Sequence, residues 1–237
     1  MKKIYTFGDG YATGHIWPEW PQILSALCPD YQVINNSGVG AGPEYLVHKL
    51  VENIQDMQDS IVIFQWPKSK RFDKLIEDTY WQTIVDNDAV YNFNCYTHND
   101  EKWWLSSKSN SKDVQEYHSK FVQSKQHKIR SDNYQILVKN TLENINCEYL
   151  STTTIEELNF SLHPKYIHIR QNQVQPSPPV HFEWLIEKII PNVSITVDKS
   201  RAEKLKKLIF SKQWEPFHWD RDKIWSDLLK SLYQQDI

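Results

Sequence analysis

Ile4-Tyr5-Thr6-Phe7-Gly8-Asp9-Gly10-Tyr11-Ala12-Thr13-Gly14 is the stretch on which the reading of this chain turns. Its first four residues have the length and apolar character of a buried strand, and the run breaks at once into Gly8, Asp9 and Gly10. In an α/β sheet such a turn lies at the carboxyl end of a strand, where ligands bind and backbone N–H groups can face an anion. A tight turn with no further role leaves the same signature. The neighbouring segments have to decide between the two.

With 237 residues the chain can form one large α/β domain with an appendage, or two small domains. A net charge of −3 and a pI near 6.3 give no basic surplus, so no nucleic-acid partner is expected. Cys28, Cys95 and Cys147 lie too far apart for zinc spacing and are odd in number, which suits a reduced, cytoplasmic or otherwise soluble setting. No apolar run approaches the roughly 18 to 20 residues of a membrane span, and Met1 to Gly10 is too short and polar for a signal peptide. No membrane partner, metal or cofactor is expected. Ten tryptophans and twelve tyrosines are more aromatic surface than one core readily hides, so some rings are expected to line a binding surface.

Beyond the opening turn, Pro18 and Pro21 suit a constrained entry into a helix over Trp20 to Leu27, ended by Cys28 and Pro29. Tyr31 to Asn35 reads as a second strand, and Asn36 to Gly42 as a second glycine-rich turn. From Pro43 to Met57, Leu46, Leu50, Ile54 and Met57 recur at helical spacing. Ser60 to Phe64 is continuously apolar and β-branched, the mark of a central parallel strand covered on both faces. Residues 73 to 110 lack sustained periodicity and are expected to form an irregular, aromatic-rich insertion or lid. Its adjacent Trp103 and Trp104 either cover the domain's own core or face a ligand.

Two helices meeting near Gln126 are expected over Lys112 to Ile145, and Cys147 to Leu150 makes a short fourth strand. Gln171 to His181 reads as a proline-stiffened loop opening a helix that Pro191 stops. The last segment, 194–237, carries nine Lys or Arg against seven Asp or Glu. Its apolar spacing marks two amphipathic helices, for packing on the domain or for a homo-oligomer contact. Acidic residues mixed into their polar faces argue against membrane binding.

This order of strands, glycine turns and helices, with a late Pro176-Ser177-Pro178 before a final helix, resembles the SGNH (GDSL-type) hydrolase family over roughly residues 1 to 193. The resemblance implies a flavodoxin-like three-layer sandwich with a short central parallel sheet, hydrolysing acyl esters without a metal at the sheet's carboxyl edge. The family's first block is a Gly-Asp-Ser turn, and Gly10 stands where the nucleophilic serine should be. Gly38 or Gly40 sits where a glycine N–H enters the oxyanion hole. The asparagine of the third block is missing from Phe64-Gln65-Trp66-Pro67. The last block, an Asp and a His ahead of a proline, falls on Asn172 and Gln175 before Pro176.

These departures remove covalent catalysis, because glycine has no hydroxyl and glutamine does not titrate. The expectation is a catalytically silent domain that binds a saccharide or similar polar small molecule. The residues implicated are Asp9, Gly10, Tyr11, His15, Gly38, Gly40, Trp66, Gln175 and His181, with Trp103 and Trp104 in the lid. Flat rings can stack on a sugar's apolar face while polar neighbours bond its hydroxyls. Two rivals stand beside it. One is a rewired ester hydrolase with Ser37 or Thr13 as hydroxyl and His181 as base; the other is a scaffold whose C-terminal helices make the contacts.

Overall fold

The apolar runs lie together in one parallel sheet. β1 (Lys2–Phe7) is flanked by β2 (Tyr31–Asn35) and β3 (Ile61–Gln65), and β7 (Glu148–Thr152) pairs with the far side of β3, giving the order β2-β1-β3-β7. All three pairings are parallel, with Ile4 opposite both Val33 and Ile61 and Phe7 opposite Phe64. This computed structural model describes residues 1–10, 12, 18–67, 72–75, 95–98, 101–106, 116, 119–120, 124–152, 166–170, 173–212, 214 and 221–233.

Alternation along the strands divides the core in two. Ile4, Ile61 and Ile63 point to one face, covered by α1 (Trp20–Leu27), α4 (Pro178–Trp184), α5 (Lys199–Ser211) and α6 (Arg221–Tyr233). Tyr5, Phe7, Val62 and Phe64 point to the other, covered by α2 (Pro43–Asn53) and α3 (Ser124–Asn144). Every residue of β3 is buried, as a strand covered on both faces requires. The helix starts follow the prolines: Pro21 and Pro43 sit in the first turns of α1 and α2, where a missing N–H is harmless.

Three expectations need correction. Segment 73–110 is not irregular where it is described. β4 (Phe72–Leu75), β5 (Cys95–His98) and β6 (Glu101–Ser106) form an antiparallel sheet of order β4-β6-β5. Strands of four to six residues with mixed polar and aromatic content are too short to show a period of two, and β4 meets β6 across a long sequence gap. Second, Gln173–Pro176 is not loop but strand β9, antiparallel to β8 (Tyr166–Arg170), with Pro176 at its last position, where an edge tolerates the missing donor. Third, α2 ends at Asn53 and only a 3₁₀ turn continues to Asp56.

The C-terminal helices are built into the domain. Asp198 caps α5 by accepting the Arg201 N–H at 2.7 Å, and Leu205 and Ile209 are buried in the same cluster as Ile4. Trp225 of α6 joins them. No helix among the described residues is long and apolar enough to cross a membrane.

Candidate functional site

The turns after β1 and β2 meet at the carboxyl edge of the parallel sheet, where a side-chain amide braces them. Asn35, the last residue of β2, is the cross-brace. Its Nδ2 donates to the Ala12 carbonyl at 2.9 Å, and its Oδ1 accepts from Thr6 Oγ1 at 3.2 Å and from the Ser37 N–H at 3.1 Å. The Ala12 N–H closes the first glycine turn on the Asp9 carbonyl at 2.9 Å. The two glycine turns then touch directly, because the Gly38 N–H donates to the Gly8 carbonyl at 3.1 Å.

Gly8 is a glycine because of what crowds it. A Cβ there would lie 2.7 Å from the Ala12 Cβ and 3.0 Å from Gln65 Oε1. Gly8→Ala is therefore expected to cost about 1–3 kcal/mol in urea unfolding, the range for overpacking a close-packed site; an unshifted midpoint would contradict this close approach. Gln65, fully buried at the end of β3, accepts from Trp20 Nε1 at 2.8 Å. The first residue of α1 is thereby tied to the end of the central strand.

α4 adds the last wall, and the path of the chain shows where it begins. Trp184, its final residue, packs edge-on against Trp20, ring centroids 5.5 Å apart. By Ser194 the chain has descended to the amino edge of the sheet. There the Ser194 N–H donates to Glu148 Oε1 at 2.6 Å, and its carbonyl accepts from Tyr31 OH at 3.3 Å. The helical run from Pro178 to Asn192, α to Trp184, then π to Ile189 and 3₁₀ to Asn192, spans about 20 Å at roughly 1.5 Å per residue. Its start, Ser177 to His181, therefore stands over the carboxyl edge.

The same edge holds an unusual group of polar atoms. Asn36 Nδ2, Ser37 Oγ, Gln65 Nε2, Ser177 Oγ and His181 Nδ1 are buried, and none has a hydrogen-bond partner among the described residues. Buried polar side chains are bonded in the great majority of cases, so such a group calls for an explanation. Ser177 and His181 stand one helical turn apart on the same side of α4, the His181 N–H donating to the Ser177 carbonyl at 3.1 Å. Burial drives the His181 pKa down to about 3, against a hydrogen bond with Pro176 that works in the opposite sense. The imidazole is neutral at any ordinary pH.

The residues singled out from sequence fall as follows. Asp9 and Gly10 form the first turn and are buried. Gly38 and Gly40 form the second, but the Gly38 N–H is engaged by Gly8, so Gly40, at φ 79°, is the glycine of that turn left to offer a donor. Trp66 is a core residue rather than a platform for a ligand. It is 2 % exposed, stacked on Phe64 at 4.9 Å, and its indole N–H donates to Tyr149 OH at 3.3 Å. Gln175 lies on β9 opposite Ile167, and Trp103 and Trp104 lie on β6 opposite Leu75 and Lys74. Tyr11, Thr13, His15 and Asn172 lie outside the described residues. Sequence reasoning missed Gln65, Asn35, Trp20 and Ser177 as edge residues; a lone amide closing the apolar run of β3 was the available signal.

No group of three or more His, Cys, Asp or Glu among the described residues could hold a metal. Two surface hollows, of about 240 and 740 Å³, open at the opposite, amino end of the sheet around Asp30, Thr196 and Asp198. In the smaller, Arg201 donates from Nε to the Ala26 carbonyl at 2.6 Å and lies 3.7 Å over the Tyr233 ring. Arg201 and Lys204 line it together with Asp30 and Asp198, two charges of each sign. That arrangement joins the C-terminal helices to α1 and singles out no ligand. No protein-family model, no curated protein and no solved structure matches this chain.

Proposed function

We propose that the chain is a flavodoxin-like, SGNH-type domain that has lost ester hydrolysis and binds an uncharged polar small molecule, a saccharide or comparable polyol, at the carboxyl edge of its parallel sheet. The observation that carries this reading is the set of buried polar atoms on Asn36, Ser37, Gln65, Ser177 and His181, unbonded among the described residues, at the edge that also holds the Gly8 to Gly10 turn. The strand order supports it: β2-β1-β3-β7 follows the first four places of the flavodoxin-like order, with ligands expected outside the carboxyl ends where that order reverses, between β1 and β3. Gly8 and Gln65 stand at that point.

The chemistry of the group favours a neutral ligand. Two amide N–H₂ groups, two hydroxyls and an uncharged imidazole match sugar hydroxyls, which both donate and accept. The rewired hydrolase is less well supported. Ser37 Oγ and His181 Nδ1 each lack a partner among the described residues, so they are not bonded to each other, and a base with a pKa about 3 is far from the operating pH that general-base catalysis needs. The scaffold reading is weakened because α5 and α6 already spend Leu205, Ile209 and Trp225 on the domain's own core. A reduced cytoplasmic setting suits the free thiols: burial pushes the Cys28 pKa up to about 12, and Cys147 is also unpaired.

Calorimetric titration with a panel of neutral glycans should give saturable heats, and silence across the panel would count against binding. Aryl acetate hydrolysis should stay at background in the native chain and in Gly10→Ser, since restoring a hydroxyl supplies no base. Activity lost in Ser37→Ala or His181→Ala would instead establish the rewired hydrolase.

A further inference from the structure

α2 begins without a cap of its own. Its N-cap residue is Gly42, which has no side chain, and the first-turn N–H groups would be orphaned in a buried place. Asp73 of β4, 31 residues along the chain, supplies the missing group. Its Oδ1 accepts the Gly42 N–H at 2.6 Å and its Oδ2 the Tyr45 N–H at 2.8 Å, while the side chain is 1 % exposed. Glycine and aspartate are a matched pair: a Cβ on Gly42 would lie 2.6 Å from Asp73 Oδ1, so the space of an ordinary N-cap side chain is filled from another strand.

The position of this contact gives it a wider role. The small sheet shares no backbone ladder with the parallel sheet, and among the described elements β4 meets the domain on α2. α2 itself runs directly out of the Gly38 to Gly42 turn, whose first N–H is bonded to Gly8 at the end of β1. Beside the cap, Glu44 is held by α3, its Oε1 accepting from Arg130 at 3.0 Å and from Tyr134 OH at 3.2 Å. The anchor on α2 is therefore fixed from behind while Asp73 comes from the small sheet.

We infer that Asp73 is a latch that seats the β4-β6-β5 sheet on the domain at the carboxyl edge, so that docking of that sheet and capping of the first turn of α2 form and break together. When the sheet lifts, α2 loses both acceptors at once; when α2 is uncapped, the sheet loses its buried anchor. The latch couples the small sheet, through β4, to the glycine turn from which α2 starts.

Hydrogen exchange read by mass spectrometry tests this. In Asp73→Ala, amides in the first turn of α2 and in β4, β5 and β6 should lose protection together, by about 10- to 100-fold for the loss of a cap and of a buried charge-assisted bond. Amides of β1 and β3 should keep theirs. Asp73→Asn, with one acceptor left, should show the same paired loss to a smaller extent, and Gly42→Ala should reproduce it by displacing the carboxylate. Adding Gly42→Ala to Asp73→Ala should cost little more than Asp73→Ala alone. Formate added to Asp73→Ala should restore part of the protection to α2 without reseating the sheet. Loss confined to α2 with β4, β5 and β6 unchanged would reduce Asp73 to a local cap, and loss spread evenly over β1 and β3 would make it a global stabiliser. Either result overturns the latch.

Discussion

Trp20→Ala is expected to destabilise the fold by about 3–5 kcal/mol, the range for deleting a fully buried large aromatic. Trp20 is 0 % exposed, touches Trp184 of α4 and donates its indole N–H to Gln65 at 2.8 Å. One side chain thus joins α1, α4 and the end of β3 on the face that bears the candidate site. Trp20→Phe separates the two contributions. It keeps most of the ring packing but leaves Gln65 with neither amide atom bonded among the described residues, where Nε2 already lacks a partner. That loss is expected to cost about 1–3 kcal/mol, the penalty for stranding a buried polar group. Urea unfolding of both variants decides it, and a Trp20→Phe protein as stable as the native one would show that the Gln65 bond holds nothing.

The second large effect is a pair of opposed pH slopes. His181 carries a pKa lowered from 6.5 to about 3 by burial, so the unfolded chain takes up its proton first on acidification. Its contribution to stability is present above pH 6.5 and is lost as the pH falls toward 3. Asp73 is the reverse case. Burial pushes its pKa up from 3.8 to about 7, outweighing the Tyr45 and Gly42 N–H groups; nearby Glu44 raises it further and Arg130 lowers it. Its contribution is present below pH 3.8 and is lost as the pH rises through 7.

Between pH 4 and 6.5 the two slopes cancel in the native chain, each reaching at most about 1.4 kcal/mol per pH unit. Relative to native, Asp73→Asn should therefore gain stability steadily as the pH rises over that window, and His181→Gln should lose it. Urea midpoints measured at several pH values read both slopes, and slopes of the same sign in the two variants would contradict the assignment.

What could be read from the sequence was whatever is local. β1 and β3 announce themselves as short apolar runs, α1 and α2 begin at prolines, and the glycines of Gly8-Asp9-Gly10 and Gly38-Val39-Gly40 mark turns that do meet at the carboxyl edge. The direction of each N–H was not legible, and Gly38 turns out to donate to Gly8 instead of facing a ligand. The packing of Trp66 had a local signal: it stands two residues after Phe64, so a strand's alternation puts both rings on one face, and they stack there. Asp73 had no local signal at all, since what makes it a cap is a glycine 31 residues away. β4, β5, β6 and β9 are each too short for periodicity to separate from loop. Ser177 and Gln65 became visible as edge residues only when the topology placed the ends of β3 and the start of α4 together.

The most direct test of the carboxyl-edge site is a map of backbone amide shifts in the isotope-labelled chain as neutral glycans are titrated in. The account expects shifts gathered on Gly8 to Gly10, Asn36 to Gly40, Gln65 and Ser177 to His181, saturating with ligand. Shifts gathered instead at the amino edge around Asp198 and Arg201, or no shifts with any neutral glycan, would contradict it.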